Sequence, residues 1–162
     1  MKLLLILFLL PNSSFAKTPE SNDDYFINAY FYENATFQGY WNIEVKTDLS
    51  VISEYIKSMI SMDSEKQKDK LTISSYKLES LCNNLNNIGF RKLPETVSPK
   101  FVMIDGPSFG ISIKCDNLVH RVDYYPDMSN KLTKEAFIFE SSWSLIWALT
   151  KIEAPKFEKY RN

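Results

Sequence analysis

The stretch that decides the fold is "FGISIKCDNLVHRVDYY", residues Phe109 to Tyr125. Apolar and polar side chains alternate on both sides of Asp116-Asn117, two residue types that tolerate the positive φ of a tight two-residue turn. The pattern predicts an antiparallel hairpin. With the turn centred there, Cys115 faces Leu118, Ile113 faces His120, Ile111 faces Val122 and Phe109 faces Tyr124, all on one largely apolar face. The other face carries Lys114 with Val119, Ser112 with Arg121 and Gly110 with Asp123. A sheet with one apolar face must bury it against another layer.

A helix supplies that layer. In "SSYKLESLCNNLNNIGF", Leu78, Leu81, Cys82, Leu85 and Ile88 recur at spacings of three and four, which predicts a helix over residues 75–88 with those side chains on one face. Ser74 or Ser75 can cap its start, Gly89 can supply the left-handed residue that ends it, and Phe90 can fold back onto the stripe. Cys82 therefore points at the core, as Cys115 does. A helix laid across the sheet brings the two sulfurs together, and in an oxidising compartment two cysteines default to one disulfide. A second helix is predicted over residues 142–152. Its cap is Ser141 or Ser142, its buried stripe is Leu145, Ile146, Leu149 and Ile152, and Pro155 prevents its continuation. Trp143 and Trp147, one turn apart on an adjoining face, read as the rim of the core.

Upstream, eight aromatic residues lie between Tyr25 and Trp41, a density that marks strand packed on a core. Trp41, Ile43 and Val45 alternate with Asn42, Glu44 and Lys46 in the pattern of a half-buried strand, and Asp48-Leu49-Ser50 offers a turn. In the next segment Val51, Ile52, Tyr55, Ile56, Met59 and Ile60 fall at helical spacing, while the β-branched and serine content of "SVISEYIKSMIS" disfavours a helix. Local pattern leaves both open. Residues 63–70, "DSEKQKDK", alternate in charge and read as a solvated loop tip. "FVMID", residues 101–105, reads as strand, and Asp105-Gly106-Pro107 as a turn feeding the hairpin.

The chain opens "MKLLLILFLLPNSSFAK", with one cation at Lys2, an apolar run from Leu3 to Leu10, a breaker at Pro11 and small residues at Ser14 and Ala16. This is the pattern of a secretory signal over residues 1–16, followed by a flexible N-terminus over 17–24 and one α+β domain over 25–162. The apolar run is too short to span a bilayer, and no later segment is better, so no membrane span is expected after cleavage. Removing 16 of 162 residues leaves 146, enough for one domain with a core. Losing Lys2 takes the cations from 19 to 18 against 20 acids, a net charge of −2. That balance gives no electrostatic reason to bind nucleic acid. Asn34-Ala35-Thr36 is a glycosylation sequon that matters only in a eukaryotic source, whereas the Asn, Lys and Ile richness suits an AT-rich bacterium.

The motif that invites a reaction is Gly106-Pro107-Ser108-Phe109-Gly110, which matches G-x-S-x-G. A nucleophile elbow needs a strand, a tight turn and then a helix, because the helix N-terminus and the amide after the serine stabilise the oxyanion. Here strand follows Ser108, and the one histidine, His120, lies on the inward face of the neighbouring strand. The offset between them along the strand is about 16 Å, far beyond hydrogen-bond reach. One histidine and two paired cysteines do not furnish a zinc site, four glycines include no phosphate loop, and Asp23-Asp24 is a carboxylate pair without a cleft in view. No catalytic residue, metal or cofactor is therefore assigned, and His120 reads as an inner or edge residue rather than a pH switch.

From residue 72 to 126 the order of landmarks resembles small secreted and lipoprotein domains of bacteria, a largely uncharacterised group: "TISSYKLESLCNNLNNIGFRKLP", then "DGPSFGISIKC", then "HRVDYY", closed by a helix. The match covers about a third of the chain. The resemblance implies an α+β shape with a hairpin such as "YWNIEVKTDLSV" near the start, hence strand for residues 51–61, and it implies no particular activity. This chain departs from the group in lacking a lipid-anchor cysteine and in its aromatic N-terminal segment.

The expected architecture is α+β, an antiparallel sheet of about four to six strands with two helices packed on one face. The expected function is that of a secreted or periplasmic, non-catalytic module that binds a protein partner, in its sharpest form an immunity protein or enzyme inhibitor. Lys114 and Arg121 on the outward hairpin face are the candidate partner-binding residues. A small hydrolase using Ser108 and an envelope structural protein are the alternatives. Intact-mass analysis of exported material should find the N-terminus at Lys17 with no acyl group; a retained leader would contradict the signal reading.

Overall fold

The computed structural model describes residues 25–32, 39–56, 66–99, 106–116, 118–126 and 132–157. Along the chain these form β1 (Tyr25–Tyr32), β2 (Tyr40–Lys46), β3 (Ser50–Ile56), β4 (Lys66–Thr72), α1 (Ser75–Asn87), a 3-10 turn (Phe90–Lys92), β5 (Thr96–Val97), β6 (Ser108–Cys115), β7 (Leu118–Tyr124) and α2 (Lys134–Trp147). The strands make one seven-stranded sheet in the order β4-β3-β2-β1-β6-β7-β5. All neighbours are antiparallel except β5 and β7. The protein is thus α+β, with more strands than the four to six expected from sequence.

The hairpin has the expected register. Phe109 lies opposite Tyr124 and Cys115 opposite Leu118, with Asp116 in the left-handed region at φ 58°. Strand β1 joins this hairpin to the rest: Phe31 pairs with both Trp41 and Phe109, Ala29 with Ile43 and Ile111, and Ile27 with Val45 and Ile113. Because side chains alternate across a strand, these residues share a face. Apart from Trp41, which is half-buried, each of them is wholly shielded from solvent. Contacts reach that face from the helices: Trp143 meets the Phe109 ring at 5.2 Å, Phe139 meets Tyr124 at 4.7 Å, and Cys82 is disulfide-bonded to Cys115.

Helix α1 matches its reading. The Ser74 hydroxyl accepts the Lys77 N–H, Ile88 caps the other end, and Gly89 turns the chain at φ 92° so that Phe90 returns to the core. Segment 51–56 is strand, paired with β2 on one side and β4 on the other, whereas 57–61 lie outside the described residues. Pairing overrode the helical period there: Val51 and Ser53 are buried on the inner face while Ile52 and Glu54 face outward. At the β2–β3 turn the Ser50 hydroxyl and N–H both donate to Asp48, and these bonds hold its carboxyl below the usual range.

Four readings are corrected. Lys66–Lys70, read as loop, belong to edge strand β4, where Lys66, Lys68 and Lys70 stand in a row opposite Ile56, Glu54 and Ile52. Charge alternation at period two is also how an edge strand guards itself against a further strand. Thr96–Val97 adds a short strand that pairs parallel with β7. The last helix begins eight residues before 142, because the Thr133 hydroxyl caps it by accepting the Ala136 N–H, and it ends at Trp147. Its buried stripe is Ala136, Phe139, Trp143, Ile146 and Trp147, so the two tryptophans are core rather than rim, and Leu149 and Ile152 bury in the segment that follows. Leu118 shares the inner face with Cys115, yet it is 63 % exposed at the hairpin tip. Readings on residues 1–24, the sequon, 101–105 and Asn117 fall outside the described residues.

The disulfide closes a span of 33 residues and ties α1 to the end of β6. Chain-entropy arithmetic gives a stabilisation of about 3 to 4 kcal/mol. Denaturant melts of the Cys82→Ala/Cys115→Ala double variant should show a loss of that order. An unchanged midpoint would contradict the role given to the bridge.

Candidate functional site

The alternation that buries Ile27, Ala29 and Phe31 turns Asn28, Tyr30 and Tyr32 to the opposite face. The strand registers extend that face sideways: Tyr32 lies beside Tyr40 and Ser108, Tyr30 beside Asn42 and Gly110, and Asn28 beside Glu44 and Ser112. Arg121 and Asp123 of β7 continue the rows next to Ser112 and Gly110. The surface is polar and aromatic. Its tyrosines are half-buried, with Tyr30 and Tyr32 ring centres 5.3 Å apart and Tyr32 and Tyr40 4.9 Å apart.

Its centre is a network spanning three strands. Gly110 has no side chain, and the Tyr30 ring lies across it: a Cβ on Gly110 would sit 2.2 Å from Tyr30 Cζ. The ring can therefore pass over β6 and reach β7. There the Tyr30 hydroxyl donates to Asp123 Oδ1 at 2.6 Å and accepts from Arg121 Nη2 at 2.7 Å. Arg121 also pairs with Asp123 Oδ1 at 3.2 Å and stands 5.7 Å from the Tyr30 ring centre. Burial, reinforced by the hydrogen bond to Asp123 and its charge, holds the Tyr30 hydroxyl well above the ordinary tyrosine range, with Arg121 partly offsetting. Tyr40 is raised too, by burial first and then by its neighbour Tyr32. For Arg121, burial favours proton loss, but the electrostatic and hydrogen-bond interactions with Tyr30 and Asp123 outweigh it and the net shift is upward. Tyr30 stays a neutral donor and Arg121 a cation across the physiological pH range.

A second polar chain runs beside it. Asn28 Nδ2 donates to Asn42 Oδ1 at 3.0 Å, Lys46 pairs with Glu44 at 2.6 Å, and the Tyr25 hydroxyl donates to Ser112 at 3.2 Å. Of the residues predicted from sequence, Lys114 and Arg121 both lie on this face, with Lys114 half-buried opposite Val119 and Arg121 exposed inside the network. Cys82 and Cys115 lie on the other side, joined. Sequence reading passed over Tyr30, Gly110 and Asp123. The available signal was the mid-strand glycine, which marks a place where another group approaches closely.

Ser108 opens β6 opposite Tyr32 on the outer face, and strand continues after it. His120 sits opposite Ile113 on the inner face, its ring edge-on to Phe90 at 5.5 Å and its Nε2 buried without a hydrogen-bond partner. The two side chains thus stand on opposite faces as well as five positions apart, about 16 Å along the strand. Among the described residues no group of three or more His, Cys, Asp or Glu is placed to hold a metal ion. Beside α2 a shallow cleft of about 640 Å³ is lined by Trp143, Trp147 and Phe157. The indole N–H groups of both tryptophans are unpaired but shielded from solvent, so the cleft offers them to no ligand as it stands.

No protein-family model matches the chain, and no curated protein is significantly similar to it. No helix among the described residues is long and apolar enough to cross a membrane.

The close approach over Gly110 has a measurable consequence. Gly110→Ala should displace the Tyr30 ring and cost about 1 to 3 kcal/mol, the usual penalty for overpacking. In a Tyr30→Ala background the same substitution should cost much less, so a double-mutant cycle read by denaturant melts should show strong coupling. Additive effects would mean that the ring does not lie across the glycine.

Proposed function

We propose that this chain is a secreted or periplasmic, non-catalytic protein-binding module, with α1 and α2 both packed on one face of the sheet and the opposite face presented to a partner. An immunity protein or enzyme inhibitor is the form that fits best, since such a protein acts by occupying its target and needs a stapled scaffold and a surface rather than reacting groups. The observation that carries this reading is the Tyr30–Asp123–Arg121 network lying over Gly110. It fixes an arginine and a tyrosine, the residue types that dominate binding energy at protein interfaces, in one conformation before any partner arrives. Side chains already ordered lose little entropy on docking. Among the described residues the network engages Nε and Nη2 of Arg121. The disulfide supports the secreted location, because such bonds persist in oxidising compartments.

The test is capture of a partner from periplasmic or secreted extract, its identification, and titration of the purified pair. Arg121→Glu and Lys114→Glu should weaken affinity by about tenfold or more, the scale of losing an interface anchor. Ser108→Ala and His120→Gln should leave affinity within about twofold, apart from any loss of stability. A parallel esterase and peptidase screen guards the alternative: turnover abolished by Ser108→Ala in a variant that melts normally would overturn the binding reading in favour of a hydrolase.

A further inference from the structure

Beyond α2 the chain is held in two different ways. At Thr150 hydrogen bonds pin it: the Thr150 hydroxyl shares one with the Ser53 hydroxyl of β3 at 2.5 Å and accepts the Ile152 N–H at 3.1 Å. From Glu153 to Phe157 the main chain makes no hydrogen bond among the described residues, and the ion pair there, Lys156 to Glu153 at 3.1 Å, is internal to the segment and exposed. Burial of Ile152 and Phe157 holds this stretch instead. The Phe157 ring sits in a box of rings from the sheet and α2, 4.5 Å from Phe109, 5.7 Å from Tyr124, 5.9 Å from Trp143 and 6.3 Å from Phe139. Space lies on both sides of the segment. The cleft of about 640 Å³ opens between residues 153–157 and α2, and another of about 480 Å³ opens between residues 152–156 and the stacked pair Trp41–Tyr55.

We propose that Ile152–Phe157 is a strap that opens about Thr150 while the sheet and both helices stay folded, and that closed it fills a groove which takes the same sequence when another molecule supplies it. Opening gives up two apolar side chains and one hydrogen bond, and it returns conformational freedom to six residues, so the closed and open states lie close in free energy. Closure also leaves the indole N–H groups of Trp143 and Trp147, whose rings line the cleft, buried without an acceptor. An unpaired buried donor is costly, and the open state relieves that cost once water or a peptide carbonyl reaches it. The strap itself shows the chemistry of the occupant: an apolar side chain at Ile152, four residues, then the ring of Phe157, with Pro155 biasing Ala154 toward extended backbone. Phe109 and Tyr124 belong to the inner face, so this groove is separate from the Tyr30–Arg121 surface and does not depend on the partner proposed for it.

The probe is a synthetic peptide copying residues 151–157, KIEAPKF, with a fluorophore at its N-terminus, titrated into the full exported chain and followed by anisotropy. The tethered strap competes for the groove at high effective concentration, so Phe157→Ala should bind the peptide at least about tenfold more tightly than the unsubstituted chain does. A peptide with alanine in place of its phenylalanine should lose that binding. Native-state trypsin digestion of the unsubstituted chain supplies a measurement that needs no variant. Cleavage after Lys151 and Lys156 should proceed at a rate that low denaturant leaves unchanged, because opening the strap exposes little surface, while cleavage within the sheet and helices accelerates. Should Phe157→Ala melt too low to titrate, the digestion decides. Peptide binding that is absent or indifferent to either phenylalanine, or cleavage at Lys151 and Lys156 that accelerates with the rest of the domain, would each overturn the proposal.

Discussion

Strand β1 lies against β6 along six residue pairs, from Ile27–Ile113 to Tyr32–Ser108, between positions 76 to 86 residues apart. On one side of this seam stands the meander β1 to β4, on the other the β6–β7 hairpin with β5. The seam makes the apolar face continuous, by setting Ile27, Ala29 and Phe31 between the buried residues of β2 and those of β6. It also brings Tyr30 over Gly110. Closing so long a loop costs entropy before any contact is gained, and the fully buried side chains on both strands are what offset it.

The two faces then have different sources of order. On the inner face, burial and the Cys82–Cys115 bridge hold α1 and the hairpin together, and Arg91 donates to the Cys115 carbonyl beside it. On the outer face burial is less complete, with the tyrosines only half-buried, and hydrogen bonds add to the order: Tyr30 to Asp123, Arg121 to Tyr30, Asn28 to Asn42. A hydrogen-bonded face is the one that can exchange protein contacts for partner contacts without unfolding the domain, which is why the binding proposal belongs there.

Local signals carried the register of the hairpin and the caps of α1. Asp116-Asn117 fixed the register by itself, and Ser74 with Gly89 bounded a helix whose apolar stripe was unbroken. Other elements were decided by their neighbours. Strand β3 has a helical apolar period and becomes strand because β2 and β4 pair with it on both sides. Residues 66–70 look solvated, and Lys66, Lys68 and Lys70 are exposed, yet they belong to an edge strand. In α2, serines at 141 and 142 resembled a cap while the working cap was Thr133, and Ser142 instead donates to the Ile138 carbonyl inside the helix. At the candidate site Arg121 was legible as an outward cation of the hairpin. Tyr30 and Asp123 were not, because their meeting depends on the β1–β6 seam, and nothing local to either strand announces it.

The central claim is that this seam unites the sheet, and native-state hydrogen exchange followed residue by residue tests it most directly. The amides of Ile27, Ala29, Phe31, Ile111 and Ile113 should be among the slowest in the protein, exchanging together at the free energy of global unfolding. If β2–β3 and β6–β7 instead exchange as two units of different stability, with the β1–β6 amides opening before either, the sheet is two pieces in contact and the account is wrong.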